Sequence, residues 1–380
     1  MPKKKVEKFI AENAGVDFNS SITIGEYRSG IDDYIEKANA DFLESHVKCP
    51  AISVESMSIQ TSFSETRIHL YRPTRLSSDK LASCIIYFTG SGFVYSNPRW
   101  QARNCIDLAI STNSIVLNIE EKSAPECRFP YGLEECFAVI KWLFDKGGEL
   151  GINVTDIRLC GFSSGGNFAA VLARWCMERS LPIRGQYLIS PWLDLTRSHD
   201  SYQRFAEGYL LDAPVCDWLR NQYAEPFQFE SSDVSPLLFS GDTQRLAPCT
   251  LIIAECEPFH DEVIVYASRL RKSGVETRLI RIPDQIHEYA GCNRWRLVSE
   301  VSEDPISQVA LAIKADRSKQ LGTMPYETSI SYLSPASMLY NSSAAFFRRL
   351  HDEYLIEHRN DSAKDRRSFD ERFGIVPFNS

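Results

Sequence analysis

One serine of this chain stands in a pattern that can make it a nucleophile. Residues 161–165 read GFSSG, the G-x-S-x-G pattern, between the apolar run IRLCGF and the helical pattern NFAAVLARW. A serine on a sharp strand-to-helix turn has a strained backbone, and its flanking glycines let strand and helix approach each other. The turn exposes the hydroxyl and directs the helix N-terminus towards an oxyanion. This pattern predicts acyl transfer through Ser163.

A nucleophilic serine needs a base, and His287 is the histidine in the right place. With this type of serine turn, an acid and then a histidine follow in chain order, on loops after the last strands. His287 comes just after the strand pattern ETRLIRIP. His199 falls in a lid-like segment, and His351 and His358 fall in a late helical pattern. We therefore expect His287 to take the serine proton.

Two carboxylates compete for the role of orienting that histidine. Glu257 follows the strand pattern CTLIIAE and directly precedes Pro258, so a fixed turn would direct its side chain at the next loop. Asp261 lies one turn later, where it is also a candidate N-terminal cap for a helix. Either carboxylate can hold the imidazole tautomer. We favour Glu257 and keep Asp261 as the alternative.

The elements that must position these residues form an α/β pattern. Residues 52–73 alternate in polarity, which predicts two antiparallel strands. Short apolar strands then alternate with helical patterns, at 83–90, 114–120, 157–162, 185–191, 249–255 and 276–283. This alternation predicts a mostly parallel central sheet with helices on both faces. Crossover connections bring the carboxyl ends of such strands to one edge, where these sheets carry their sites.

The chain length suggests one large domain with additions. Residues 51–290 are the predicted core, and 196–245 interrupt the strand–helix alternation as a cap over the site. Residues 1–50 read as an N-terminal helical cap segment, with 291–333 as an insertion after His287 and 334–380 as a closing helix and polar tail. The insertion is a candidate to cover the site, to mediate a homodimer or to bind a partner.

Composition narrows the class of protein. The 380 residues are 43% hydrophobic and 24% charged, as in ordinary globular proteins, and the net charge of −8 is spread along the chain. A nucleic-acid or anionic-membrane surface needs a concentrated positive field, so neither is expected. No window reaches the ~18 apolar residues of a membrane span. The 11 cysteines show no metal-ligand spacing and no secretory signal precedes them, which favours the cytoplasm.

Several colinear blocks resemble the hormone-sensitive-lipase family of α/β-hydrolases, a group of serine carboxylesterases. They span roughly residues 50 to 290 and correspond to the family's H-G-G-G-F, Y-R-L-A-P-E, G-D-S-A-G-G-N, S-P-W-x-D, D-P-L-x-D-E and H-G-F patterns. In this chain those blocks read TGSGF (89–93), EKSAPE (121–126), GFSSGGN (161–167), SPWLD (190–194), EPFHDE (257–262) and HEY (287–289). So many blocks in the same order make the resemblance specific.

The resemblance implies an oxyanion hole and a working triad. Backbone N–H groups of Gly90, Ser91 and Ser164 would bind the oxyanion. The departures are Thr89 for histidine, Ser91 for glycine, Phe162 for aspartate and Glu257 for aspartate. They change the surroundings of the nucleophile more than the triad. A receptor of this family has lost the triad histidine, whereas His287 is present here.

These observations predict a serine hydrolase that cleaves a carboxylic ester of a small or medium apolar substrate. The acyl-enzyme would form on Ser163, with His287 as base and Glu257 as orienting acid. No metal or organic cofactor is required. Two alternatives stay open: a catalytically silent receptor with this fold, and a non-hydrolytic biosynthetic enzyme that uses the same triad.

Overall fold

The predicted α/β architecture is confirmed by the computed structural model, which describes residues 4–13, 22–33, 51–77, 79–290 and 304–320. Eight strands form one sheet there. Their bounds are β1 Ile52–Gln60, β2 Glu65–Pro73, β3 Ala82–Phe88, β4 Ile115–Glu120, β5 Ile152–Phe162, β6 Ile183–Ile189, β7 Cys249–Cys256 and β8 Thr277–Ile286.

The sheet has the order β1-β2-β4-β3-β5-β6-β7-β8. β1, β2 and β4 pair antiparallel, and all pairs from β4 to β8 are parallel. The parallel strands are rich in buried β-branched residues, as in Ile85 and Ile86 of β3 and Ile252 and Ile253 of β7. Burial on both faces explains why these strands are continuous apolar runs rather than alternating ones.

Helices cover both faces of the sheet. They are α1 Lys4–Asn13, α2 24–33, α3 Ala102–Thr112, α4 Tyr131–Lys146, α5 Ser164–Glu178, α6 Ser201–Arg204, α7 Ala213–Tyr223, α8 His260–Lys272 and α9 Pro305–Gln320. Residues of α4, α5 and α8 share one apolar core with the sheet, and residues of α3 and α9 share the other. Within the described ranges, no helix is long and apolar enough to span a membrane.

The helix α9 lies in the segment that the sequence assigned to an insertion. Its apolar side, with Ile306, Val309 and Ile313, is buried against the core that α3 shares. Asp316 of α9 accepts hydrogen bonds from Tyr187 and Arg278, both at 2.7 Å. The helix is therefore part of the layer that covers the sheet. The closing helix predicted within 334–380 lies outside the described residues.

The N-terminal segment and the predicted cap contact each other. Arg28 of α2 donates to the carbonyl oxygens of Val94 (2.7 Å) and Ala124 (2.8 Å), which holds α2 on the loops after β3 and β4. The ring of Tyr27 lies 5.1 Å from that of Trp218 on α7, centroid to centroid. The helices α2 and α7 are thus adjacent. The rest of the predicted N-terminal helical segment, 34–50, lies outside the described residues.

The predicted site residues lie at one edge of the sheet, which we call the carboxyl edge. Gly90 follows β3, Ser163 follows β5, Glu257 follows β7 and His287 follows β8. β3, β5, β7 and β8 run parallel, so these positions are brought to the same edge although they are far apart in the chain.

Candidate active site

Ser163 occupies the sharp turn between β5 and α5. Its backbone has φ 56° and ψ −121°, a left-handed conformation that side chains rarely adopt. The turn is tight because a Cβ on Gly161 would lie 2.1 Å from the carbonyl oxygen of Gly165, and a Cβ on Gly165 would lie 2.1 Å from that of Phe88. Both positions therefore require glycine. The GFSSG pattern is here the turn that holds the serine at the carboxyl edge.

His287 is hydrogen-bonded to that serine. Its Nε2 lies 2.9 Å from Ser163 Oγ, and the two residues are 124 positions apart in sequence. β8 ends at Ile286, so the histidine is the first residue of the 3-10 turn His287–Ala290. A hydroxyl donating to Nε2 requires the hydrogen of the neutral ring to be on Nδ1. This is the arrangement in which imidazole can accept the serine proton.

Glu257 is the carboxylate that reaches the other nitrogen of this ring. Its Oε2 lies 2.6 Å from His287 Nδ1. Its Oε1 accepts from Ser190 Oγ (2.7 Å) and from the backbone N–H of Ala254 (3.1 Å). The residue is completely buried. Three hydrogen bonds compensate a buried carboxylate for its lost water, and they fix its orientation towards the imidazole.

Asp261, the alternative acid, has a different set of partners. Its carboxylate accepts from Arg204 Nη2 (2.7 Å) and from the backbone N–H of Ser201 (3.0 Å), and it contacts His260 Nδ1 (2.9 Å). Burial raises the pKa of Asp261, but the hydrogen bonds from His260 and Arg204 outweigh burial and hold it below its usual value. These contacts tie the start of α8 to α6 rather than to His287.

The backbone N–H groups expected to bind an oxyanion have partners within the protein. The N–H of Gly90 donates to Gln101 Oε1 at 3.1 Å, and the N–H of Ser91 donates to Ser164 Oγ at 2.9 Å. The loop is held further by Trp100, whose indole N–H donates to the carbonyl oxygen of Gly90 at 2.8 Å. Ser164 is the first residue of α5, directly after the serine turn. Gln101 Oε1 and Ser164 Oγ thus accept the hydrogen bonds that an incoming oxyanion would accept.

Two aromatic rings hold the imidazole. Phe162 stacks on His287 with centroids 4.9 Å apart and planes at 28°. Phe259 packs edge-on at 5.0 Å and 88°, and Trp192 stacks on Phe259 at 5.0 Å. The family pattern has aspartate where Phe162 stands. In this chain an aromatic ring at that position therefore packs on one face of the imidazole.

Some residues that hydrogen-bond to the predicted site residues were not identified from the sequence. Ser190 donates to Glu257, and its position after β6 in the SPWLD block was the available signal. Gln101 and the Ser164 hydroxyl, which accept from the N–H groups of Gly90 and Ser91, had no signal in the chain order. Thr89, the departure from histidine, accepts from Asn118 Nδ2 at 2.9 Å. Across the described residues, no group of three or more His, Cys, Asp or Glu side chains is arranged to hold a metal ion.

The sheet, the serine turn and the hydrogen-bonded line Ser163–His287–Glu257 define the class of protein as an α/β-hydrolase. Comparison with known proteins agrees, since a family model described as the α/β hydrolase fold matches residues 85–291. The chain belongs to this family, within its hormone-sensitive-lipase-like carboxylesterases, and the resemblance noted in the sequence is confirmed.

The matches to relatives and to solved structures cover most of the core. An ethyl acetate hydrolase from Pseudomonas putida is 31% identical over 250 residues, which cover 65% of this chain and 77% of that relative. An arylesterase from Saccharolobus solfataricus is 27% identical, over 68% of this chain and 84% of its own length. The structure of a hyperthermophilic esterase from Pyrobaculum calidifontis superposes with a TM-score of 0.75 at 27% identity, covering 83% of this chain and 99% of that one.

Proposed function

We propose that this chain is a serine hydrolase that cleaves a carboxylic ester of a small or medium apolar substrate through an acyl-enzyme. The observation that carries the proposal is the continuous hydrogen-bonded line from Ser163 Oγ through His287 to Glu257, with distances of 2.9 and 2.6 Å. The relatives named ethyl acetate hydrolase and arylesterase support ester hydrolysis.

In the acylation step, Ser163 Oγ attacks the ester carbonyl while its proton passes to His287 Nε2. The ring becomes an imidazolium, and the carboxylate of Glu257 stabilises this charge through Nδ1–H. Collapse of the tetrahedral intermediate breaks the bond to the alkoxy group, which leaves with the proton from Nε2. A water then attacks the acyl-enzyme by the same route and releases the acid.

The oxyanion of the intermediate is proposed to bind to the backbone N–H groups of Gly90, Ser91 and Ser164. This requires the N–H of Gly90 to exchange Gln101 Oε1, and the N–H of Ser91 to exchange the Ser164 hydroxyl, for the substrate oxygen. An anionic oxygen is a stronger acceptor than a hydroxyl, so the exchange is favoured when negative charge develops on the carbonyl and not before. The donor then acts in the transition state. One oxyanion donor typically contributes about 2.7–4 kcal/mol there.

We place the protein in the cytoplasm. The nine cysteines within the described ranges are free thiols, and eight of them are buried. Unpaired buried thiols are typical of a reducing compartment, because an oxidising one favours disulfides. The buried thiol of Cys160 illustrates their inertness, since burial raises its pKa far above its usual value.

The test is hydrolysis of p-nitrophenyl acetate and butyrate by the wild type, Ser163→Ala and His287→Ala. We expect both variants to lose hydrolysis by about 10³-fold or more, because nucleophile and base act as a unit. His260→Gln is the matched control, since His260 contacts Asp261 rather than the serine and should keep wild-type rates. A fluorophosphonate probe should label the wild type at Ser163 only. Folded Ser163→Ala that hydrolyses at the wild-type rate would refute the proposal.

A further inference from the structure

Trp100 contacts the segment that carries two of the proposed oxyanion donors, Gly90 and Ser91. It lies between β3 and α3, directly before Gln101, and it is partly exposed. Its indole N–H donates a hydrogen bond of 2.8 Å to the carbonyl oxygen of Gly90. The mechanism proposed above does not use this contact. The carbonyl that accepts it, however, belongs to the peptide group that joins Gly90 to Ser91.

This peptide group links the direction of the Gly90 carbonyl to the direction of the Ser91 N–H. A trans peptide group is planar, and its C=O and N–H point in opposite directions. A hydrogen bond that fixes the carbonyl therefore fixes the N–H as well. Trp100 Nε1 holds the carbonyl end, and Ser164 Oγ accepts from the Ser91 N–H at 2.9 Å at the other end. The two bonds together set the plane of the peptide group.

The peptide group needs these bonds because Gly90 has no side chain that could restrict its rotation. A Cβ on Gly90 would lie 2.4 Å from the carbonyl oxygen of Phe162, so the close approach of the two segments requires glycine. Glycine has the widest choice of backbone angles. The hydrogen bonds at the two ends of the Gly90–Ser91 peptide thus provide the restraint that a packed side chain would provide elsewhere.

The bond from Trp100 is the one that the reaction leaves in place. In the proposed mechanism the N–H groups of Gly90 and Ser91 exchange Gln101 Oε1 and Ser164 Oγ for the substrate oxygen. The indole N–H is a donor, whereas an oxyanion only accepts hydrogen bonds, so the oxyanion cannot take the place of Trp100 on the Gly90 carbonyl. Trp100 therefore continues to hold the peptide plane while the N–H groups change partners.

The same bond strengthens the donor whose direction it fixes. A peptide carbonyl that accepts a hydrogen bond is polarised, and its N–H becomes a better donor, an effect of about 10–30% per bond in a chain of hydrogen bonds. Here the chain runs from the indole N–H to the Gly90 carbonyl, and from the Ser91 N–H to the oxyanion. The gain is largest when the acceptor carries most charge, which is in the transition state.

We propose that Trp100 is a positioning residue for the oxyanion hole, because its indole N–H holds the Gly90–Ser91 peptide with the Ser91 N–H directed at the developing oxyanion. The inference rests on the proposed function, since it assigns Trp100 to a donor of that reaction. In this role Trp100 acts through the peptide group and not on the substrate. Its loss should therefore lower kcat and leave KM nearly unchanged.

The test is Trp100→Phe, which removes the N–H and keeps an aromatic ring. In hydrolysis of p-nitrophenyl acetate we expect kcat to fall about tenfold with KM within about twofold, because complete loss of an oxyanion donor costs about 10²- to 10³-fold and a misdirected donor costs less. Inhibition by trifluoroacetophenone, whose tetrahedral adduct with Ser163 places an oxyanion in the hole, should weaken by a similar factor.

Trp175→Phe is the matched control, because the indole N–H of Trp175 on α5 donates to Asp233 Oδ1 at 2.9 Å. This variant also loses one indole hydrogen bond, but that bond does not involve the Gly90–Ser91 peptide. Its kcat should stay within about twofold of the wild type. An equal loss of kcat in Trp175→Phe and Trp100→Phe would overturn the inference.

The remaining outcomes separate this inference from the proposed function. A folded Trp100→Phe whose kcat falls less than about threefold, or in which only KM changes, overturns the role of Trp100 while hydrolysis by Ser163 stands. A wild type that does not hydrolyse the ester overturns both. If Trp100→Phe does not fold, replacement of Trp100 by 3-benzothienylalanine, which carries sulfur in place of the N–H, decides by the same criteria.

Discussion

Shortening Glu257 by one methylene is expected to disable the site although the charge is kept. The hydrogen bond from His287 Nδ1 to Glu257 Oε2 is 2.6 Å long. Removing a methylene withdraws the carboxylate by about 1.5 Å, one carbon–carbon bond, and opens this distance to about 4 Å. That exceeds the hydrogen-bond range. Because β7 and β8 hold both backbones in a parallel pair, the loop has little freedom to follow.

The size of the effect follows from what each substitution removes. Glu257→Asp loses a hydrogen bond between charged groups, about 1.5–3 kcal/mol, but keeps a nearby negative charge for the imidazolium. We expect kcat to fall about 10- to 100-fold. Glu257→Gln keeps the length but loses the charge, and it allows the wrong imidazole tautomer. The expected fall is about 10³- to 10⁴-fold, as for other triads that lose their carboxylate charge.

The assay is steady-state hydrolysis of p-nitrophenyl acetate, with thermal unfolding of each variant to establish that it is folded. Asp261→Asn is the matched control, because this carboxylate is bonded to Arg204 and Ser201. Its kcat should stay within about threefold of the wild type, as expected for a site that touches neither nucleophile nor base. A folded Glu257→Asp with wild-type kcat, or an Asp261→Asn that loses activity as Glu257→Gln does, would refute the reasoning.

Three further substitutions have defined expectations. Ser164→Ala removes the hydroxyl that accepts from Ser91 N–H, so kcat/KM should rise about 2- to 10-fold; a fall beyond tenfold would mean that the hydroxyl itself stabilises the transition state. Phe162→Ala removes a ring that is 4% exposed and stacked on His287, so the free energy of unfolding measured in urea should fall by about 3–5 kcal/mol. A decrease below about 1 kcal/mol would contradict the packing. The pKa of Glu288 is about 7 against an ordinary 4.5, so the folded state binds more protons than the unfolded state across this window and wild-type stability falls as pH rises through it. Glu288→Gln has no such pH-dependent loss of stability. The difference in melting temperature, variant minus wild type, should therefore be larger at about pH 8 than at about pH 5. A difference that does not change with pH would argue against the raised pKa.

The local features of the chain could be predicted from the sequence without the structure. The serine turn is encoded in five adjacent residues, because its glycines and its serine are neighbours in sequence. The predicted strand 249–255 differs from β7 by one residue, whereas β5 begins five residues before its prediction at 157. The apolar part of a strand is visible in its periodicity. The polar start of β5, INVTD, gives no such signal, and its pairing with β3 decides where the strand begins.

The sequence by itself determined the fold class and the family and predicted Ser163 as the nucleophile, because these depend on periodicity and on short motifs. Only the tertiary structure decided that Glu257 rather than Asp261 contacts His287, since both follow β7 and the direction of each side chain depends on Ser190 and Arg204, which lie elsewhere in the chain. It also decided that the Ser164 hydroxyl accepts a hydrogen bond from the backbone N–H of Ser91 and that, among the described residues, Glu288 Oε2 has no hydrogen-bond partner. Hydrogen bonds between residues 30 to 124 positions apart are set by packing, and no local pattern records them.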